Sequence, residues 1–181
     1  MAYDQGNIDL KLDTQKGSNA FYMPVADPDW VEKVIKETIK TISPKKIMLG
    51  IPTYGYEYEV TWADGTTTYK RLRSRTFTQA MDLADSVGAT PVRNNAGELS
   101  FVYASSTPID VSKNLTYLIT SSTPPSGLIS APRTTRYVDF SDAQSAMDKI
   151  ALAKKYKLKG VVFFKMDGDA DPALWDKIAS N

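Results

Sequence analysis

The chain contains neither cysteine nor histidine in its 181 residues. That excludes disulfides, thiol nucleophiles, iron–sulfur ligation, Ser-His-Asp triads and zinc sites built on His or Cys. An excess of charge is also missing: 22 Lys+Arg stand against 21 Asp+Glu, a formal net charge of +1. Such a balance offers no electrostatic basis for holding nucleic acid or an anionic membrane, and neither partner is expected. No apolar run approaches the roughly 20 residues needed to span a bilayer. Met1-Ala2-Tyr3-Asp4 lacks the basic and apolar regions of a signal peptide. There is no low-complexity tract and no internal repeat. Carboxylates, Tyr, Lys and Ser/Thr remain for chemistry, and no metal site or cofactor is expected.

Helix signals are clear at three places. Asp27 is a good N-cap, Pro28 suits the first helical position, and Trp30, Val31, Val34, Ile35, Thr38, Ile39 and Ile42 recur at helical spacing up to Ser43-Pro44. Thr76-Phe77-Thr78-Gln79 reads as a capping box opening a helix that runs to Gly88. Ser141-Asp142-Ala143-Gln144 reads as another, leading through Met147 and Ile150 to about Lys157. Asp171-Pro172 then caps a short helix carrying Leu174, Trp175 and Ile178.

Two short runs, Ile47-Met48-Leu49-Gly50-Ile51 and Val161-Val162-Phe163-Phe164, are apolar on both faces, as buried parallel strands are. Between them the pattern changes. Tyr56 to Trp62 is extended, Asp64-Gly65 is a hairpin turn and Thr66 to Tyr69 returns. Asn94-Asn95-Ala96-Gly97 is a second turn before Leu99 to Tyr103, and Leu115 to Ile119 is a further strand.

Residues 57–137 therefore read as an inserted, mostly antiparallel α+β unit, while 1–56 and 138–181 read as an α/β unit. If Met1-Ala2-Tyr3-Asp4 ends a strand, the α/β unit holds three parallel strands. A complete (β/α)₈ barrel takes roughly 250 residues. The roughly one hundred left after the insertion are enough for only part of one. The expected fold class is thus α/β, a partial TIM (β/α)₈ barrel with an inserted α+β subdomain.

In barrels the loops after strand C-termini build the site. That rule selects Tyr3 and Asp4, then Tyr54 and Tyr56, then Phe164 and Lys165. Aromatic faces stack on sugar rings and a Tyr hydroxyl adds a hydrogen bond. Tyrosines at strand ends also serve as plain packing, and the pattern leaves both roles open. Asp167-Gly168-Asp169-Ala170-Asp171 alternates like a calcium loop, but Pro172 and Ile178 stand where an EF-hand needs Gly and Glu. It is read as a polar loop ending in a helix cap.

Four motifs in order resemble glycoside hydrolase family 18, which includes chitinases and spore-wall glucosaminidases. Met1-Ala2-Tyr3-Asp4 is similar to the Met-x-Tyr-Asp motif that ends the sixth barrel strand. Lys46 to Gly55 resembles the seventh strand, and Phe140 to Ser145 with Lys149 the seventh helix. Gly160 to Phe164 followed by Asp171 to Trp175 resembles the eighth strand and closing helix. The family's fourth-strand signature, Asp-x-x-Asp-x-Asp-x-Glu, has no match.

The resemblance implies the C-terminal portion of a glycosidase, spanning strands 6 to 8. Its substrate would be a polymer of β-1,4-linked N-acetylglucosamine, of chitin or peptidoglycan type. Hydrolysis would be retaining, with the substrate's acetamido oxygen as nucleophile and the general acid absent from this chain. Tyr3 and Asp4 would be catalytic: Tyr3 donating to that oxygen, Asp4 bonding the sugar at the cleaved position. Tyr54, Tyr56 and Phe164 would line the sugar site, with Met1 packed beneath Tyr54. Phe164 stands where the family usually has Trp, and Tyr56 where it often has Arg. Those departures keep a second reading open, a non-catalytic carbohydrate-binding module of chitinase-like lectin type. The implied partners are a poly- or oligosaccharide and either the remaining barrel half or another chain covering the open strand edge. The implied location is secreted or cell-wall associated in a bacterium.

Overall fold

The structure is a computed structural model describing residues 1–13, 21–63, 66–104, 133–165 and 169–180. Its elements run α1 (Gln5–Ile8), α2 (Pro28–Thr38), β1 (Met48–Pro52), β2 (Tyr54–Ala63), β3 (Thr66–Thr76), α3 (Phe77–Val87), β4 (Val92–Arg93), β5 (Leu99–Ala104), β6 (Arg133–Phe140), α4 (Ala143–Lys155), β7 (Gly160–Phe164) and α5 (Ala173–Ala179). They make a mixed α/β fold with two sheets. β1 and β7 pair in parallel from Met48↔Gly160 to Pro52↔Phe164. The other sheet is antiparallel, in the order β3-β2-β6-β5-β4. No helix among the described residues is long and apolar enough to cross a membrane.

The helix starts follow local chemistry. Asp27 caps α2 by accepting from Asp29 N at 2.7 Å, and Thr76 and Gln79 form the capping box of α3. The box of α4 sits one residue later than expected: Asp142 accepts from Ser145 N, and Ser145 Oγ accepts from Asp142 N, both at 3.0 Å. Asp171 serves both neighbouring helices, Oδ2 accepting from Ala143 N and Oδ1 from Ala173 N. α2 ends at Thr38 rather than Ile42, because the chain tightens into turns: Lys40 N donates to Glu37 O and Thr41 N to Thr38 O.

Two expectations change. Met1 to Asp4 is not a strand, so two parallel strands rather than three are found among the described residues. The chain instead turns at Asp4 into α1, where Gln5 N and Gly6 N donate to Val25 O and Pro24 O. The antiparallel sheet extends past residues 57 and 137: β2 begins at Tyr54 and β6 ends at Phe140. β6 itself carried no clear signal, because as an inner strand it is buried on both faces and does not alternate polar with apolar. The Asp64-Gly65 turn and the Leu115–Ile119 strand lie outside the described residues.

The two faces of the antiparallel sheet belong to different cores. Tyr54, Tyr56, Tyr58 and Val60 face α2 and the segment before it. On the other face α3 packs its Ala80 and Ala84 on Phe101, Val138 and Phe140. A third cluster, of Ile51, Ala143, Ala146 and Leu174, seats α4 and α5 on β1.

A buried polar network joins the sheet to the helices. Glu98 is fully buried; Oε2 accepts from Val25 N at 2.8 Å and Oε1 from Ala26 N at 2.9 Å, while Lys149 Nζ approaches Oε1 at 3.4 Å. Nearby, Asp139 Oδ2 accepts from Tyr137 Oη and Asn94 Nδ2, each at 2.8 Å. Burial first, and the charge of Glu98 second, hold the Asp139 carboxyl well above the usual carboxylate range.

A carboxyl whose pKa rises on folding keeps its proton in the native state while the unfolded chain releases it. Its contribution to stability is full below the unfolded pKa and is lost as pH rises. Asp139→Asn preserves the acceptor for Tyr137 and Asn94 and removes the titration. Its melting temperature, followed by circular dichroism, should fall less than the wild type's between about pH 4 and about pH 7. Parallel declines in the two proteins would contradict the raised carboxyl.

Candidate functional site

Asp4, Tyr54, Tyr56 and Phe164, with Ser74, Arg75, Thr76, Gln79 and Lys165, line one cavity of about 330 Å³. Asp4 has φ 65° and ψ 27°, a left-handed conformation uncommon outside glycine. It stands at the N-terminus of α1, yet its side chain makes no cap bond there. The carboxylate is turned instead to the sheet, where Oδ1 accepts from Tyr54 Oη at 2.5 Å and Tyr56 Oη at 2.7 Å. Alternation along β2 places both phenols on one face, so a single oxygen collects both. Oδ2 has no hydrogen-bond partner among the described residues.

The aromatic rings interlock around this point. Tyr3 stacks on Phe164 with centroids 5.8 Å apart and planes 14° apart, and Tyr54 meets both rings edge-on. Tyr54 and Tyr56 are edge-to-face at 5.5 Å. Phe164 is half-exposed, at 50%, whereas Tyr3, Tyr54 and Tyr56 are buried. The Tyr3 hydroxyl has no hydrogen-bond partner among the described residues. Its pKa is raised, by burial and then by the charge of Asp4. Burial, the hydrogen bond to Asp4 and its charge push Tyr56 up to about 12 and move Tyr54 well above the phenol range. All three phenols therefore stay protonated near neutral pH, as donors.

Two glycines make the assembly possible. A Cβ on Gly50 would lie 2.8 Å from Tyr3 Cε1, so the bare backbone of β1 leaves room for the ring. A Cβ on Gly55 would lie 2.1 Å from the carbonyl oxygen of Asp139, so only glycine lets β2 and β6 approach there. At the ends of the parallel pair, Thr53 N donates to Phe164 O at 2.9 Å. Thr53 Oγ1 donates to Lys165 O at 2.8 Å and accepts from Lys165 N at 3.0 Å. The Phe164–Lys165 peptide, which is cis, is thereby tied beside Tyr54.

Of the residues selected from sequence, Tyr3, Asp4, Tyr54, Tyr56 and Phe164 come together. Met1 does not join them: its side chain is 93% exposed and does not pack beneath Tyr54. Its backbone lies beside Gly50, but residue 1 has no strand partner among the described residues to turn the side chain inward. Ser74, Arg75, Thr76 and Gln79 were not anticipated. They enter the cavity wall because β3 returns beside β2 and leads straight into α3. Among the described residues no cluster of acidic side chains could hold a metal ion.

Comparison with known proteins adds a lineage. The family model of glycosyl hydrolases family 18 matches residues 1–169. The uncharacterised glycosylase YvbX of Bacillus subtilis is 24% identical over 155 residues, 85% of this chain and 36% of that protein. Among solved structures, the spore cortex-lytic enzyme SleL of Bacillus cereus is similar with a TM-score of 0.64 and 20% identity, over 100% of this chain and 33% of that one. SleL of Bacillus megaterium gives 0.61 and 23%, over 90% and 31%. A Cycas revoluta chitinase mutant, solved in complex with (GlcNAc)4, gives 0.52 and 17%, over 99% and 45%. The chain thus spans about a third of the length of YvbX and the two SleL proteins.

The role of Gly50 is directly testable. Gly50→Ala should displace Tyr3 from its stack and cost about 1–3 kcal/mol, as overpacking does. Gly160→Ala, in the paired strand, meets nothing nearer than Met48 Cε at 3.9 Å and should be neutral or slightly stabilising. Chemical denaturation of both variants checks this, and equal effects would show that Tyr3 does not need the gap.

Proposed function

The chain belongs to glycosyl hydrolases family 18, and on that premise we propose that it is the C-terminal part of a glycosidase barrel. Its substrate is a polymer of β-1,4-linked N-acetylglucosamine, of chitin or peptidoglycan type. One observation carries the reading. Asp4 is gripped through Oδ1 by two tyrosine hydroxyls, while its Oδ2 and the hydroxyl of the neighbouring Tyr3 are unspent among the described residues. A fixed acceptor beside a fixed donor, set in an aromatic wall, suits a sugar ring with an acetamido group.

In this reading the acetamido oxygen of the substrate attacks the anomeric carbon and displaces the leaving oxygen, and water then opens the resulting oxazolinium from the opposite face, so that the product retains its configuration. Tyr3 donates to the acetamido oxygen and orients it, and Asp4 holds the sugar at the cleaved position. Tyr54 and Tyr56 keep Asp4 in place and wall the groove, with Phe164 as an apolar floor. The acid that protonates the leaving oxygen comes from outside this chain, whose sequence lacks the Asp-x-x-Asp-x-Asp-x-Glu motif. The second reading, a non-catalytic carbohydrate-binding module, is favoured by the half-exposed Phe164, a stacking surface without a hydrogen-bond donor. The family background favours a secreted or cell-wall setting.

The open parallel pair implies a covering partner. β1 and β7 form a two-stranded sheet with exposed Met48 and Val162. Such a pair is marginal alone and its edges invite further strands. The remaining barrel strands, or another copy of the chain, cover it.

Two measurements test these proposals. Calorimetric titration with chito-oligosaccharides should show binding without release of reducing ends, and Asp4→Ala should weaken binding about tenfold or more. Turnover that survives Asp4→Ala would overturn the assignment, as would absence of binding. Small-angle scattering should show self-association of the isolated chain that is relieved by the complementary barrel segment. A monodisperse monomer at low concentration would contradict the covered edge.

A further inference from the structure

β3 is an edge strand with a dense run of cations, Lys70, Arg71, Arg73 and Arg75. Two of them are committed to Glu57. Arg75 donates through Nε and Nη2 to Glu57 Oε2 at 2.9 and 2.5 Å, and Arg73 Nε stands 3.6 Å from the same oxygen. The irregularity between Glu57 and Tyr58 then shifts the register, so that Arg73 pairs with Glu57 but Arg71 with Tyr58. Arg71 consequently reaches the tyrosine face, with its guanidinium carbon 5.3 Å from the centroid of the Tyr56 ring. It is exposed and pairs with no carboxylate among the described residues.

This placement matters because Tyr56 is one of the two residues that hold Asp4. Arg71 stands over the Tyr56 ring outside the cavity's own lining, where a ligand bonded to Asp4 and extending past Tyr56 would reach it. A guanidinium stacked on a ring is oriented by the ring, and its planar fork of N–H donors remains available. Asp4 is the single carboxylate of the cavity lining, and Arg75 beside it is already neutralised by Glu57, so Arg71 is the cation left for a ligand's charge. A neutral sugar makes poor use of such a fork, whereas a carboxylate accepts two parallel charge-assisted bonds from it.

Building on the glycan-binding reading above, we infer that Arg71 is a specificity-determining residue. It selects acetamido-sugar chains that carry a carboxylate on the unit beside the sugar held at Asp4. Such a carboxylate comes either from a lactyl ether on an amino sugar or from a uronic acid ring.

Calorimetric titration of the full chain with three tetrasaccharides separates the cases. These are chitotetraose, the alternating N-acetylglucosamine and N-acetylmuramic acid tetrasaccharide, and the hyaluronan tetrasaccharide. At low salt at least one carboxylate-bearing ligand should bind about tenfold more tightly than chitotetraose, with the advantage shrinking as salt is added. Which one it is identifies the carboxylate's source. Arg71→Gln should bring the affinity ratio close to one and Arg71→Lys should keep part of it; general loosening of the site would leave that ratio unchanged. Equal or tighter binding of chitotetraose, or a preference that persists in Arg71→Gln, would overturn the role of Arg71 and leave glycan binding standing. Failure of all three ligands to bind would overturn the glycan reading and this inference with it.

Discussion

The carboxylate of Glu98 is buried where the antiparallel sheet meets the helical layer, and the position of Asp4 is inherited from it. Glu98 follows the β4–β5 turn and takes the backbone N–H groups of Val25 and Ala26 on its two oxygens, with Lys149 of α4 beside it. The segment so fixed presents Pro24 O and Val25 O to the first turn of α1, and Gln5 Oε1 in return accepts from Asp27 N at 3.0 Å. Asp4 is the residue before Gln5. Three segments distant in sequence are thus referenced to one charge. Leaving such a charge unpaired in the interior costs about 3–5 kcal/mol. The pair's value lies in fixing geometry, since a buried ion pair gains little net stability over apolar packing.

The five-stranded sheet does two tasks with one strand. On one face β2 aligns Tyr54, Tyr56 and Tyr58, whose rings meet edge to face; the first two donate their hydroxyls to Asp4, and Tyr58 Oη accepts from Asn7 Nδ2. On the other, Glu57 gathers Arg75, Arg73 and the hydroxyl of Tyr103 beneath α3. A period of two separates a neutral, donor-rich wall from a charged brace, and the irregularity after Glu57 is what lets Arg71 cross from one set to the other.

Much of the site's membership was legible, because it follows a local rule: residues just past strand C-termini face the same end of the layer. Tyr54 lies two residues past the end of β1 and Phe164 ends β7, and they meet. The rule misled for Met1, since residues 1–4 form no strand and nothing turns that side chain inward. Arg71, Arg75 and Gln79 left no trace, because their arrival depends on how β3 registers against β2. Glu98 carried no signal in the sequence and Lys149 entered only as part of a helix motif, because their meeting spans 51 residues and depends on the fold.

The sequence by itself determined the starts of α2 and α3, that of α4 to within a residue, the two apolar parallel strands and the tyrosines that follow β1. It also excluded thiol and imidazole chemistry by omission. These depend on interactions between residues a few positions apart, or on no interaction at all. Only the tertiary structure decided that one oxygen of Asp4 receives two phenols, that Gly50 clears space for Tyr3 and that β6 lies between β2 and β5. The physical reason is range. Caps and periodicities are settled within a turn or a strand, whereas a carboxylate's partners are settled by which surfaces are buried together.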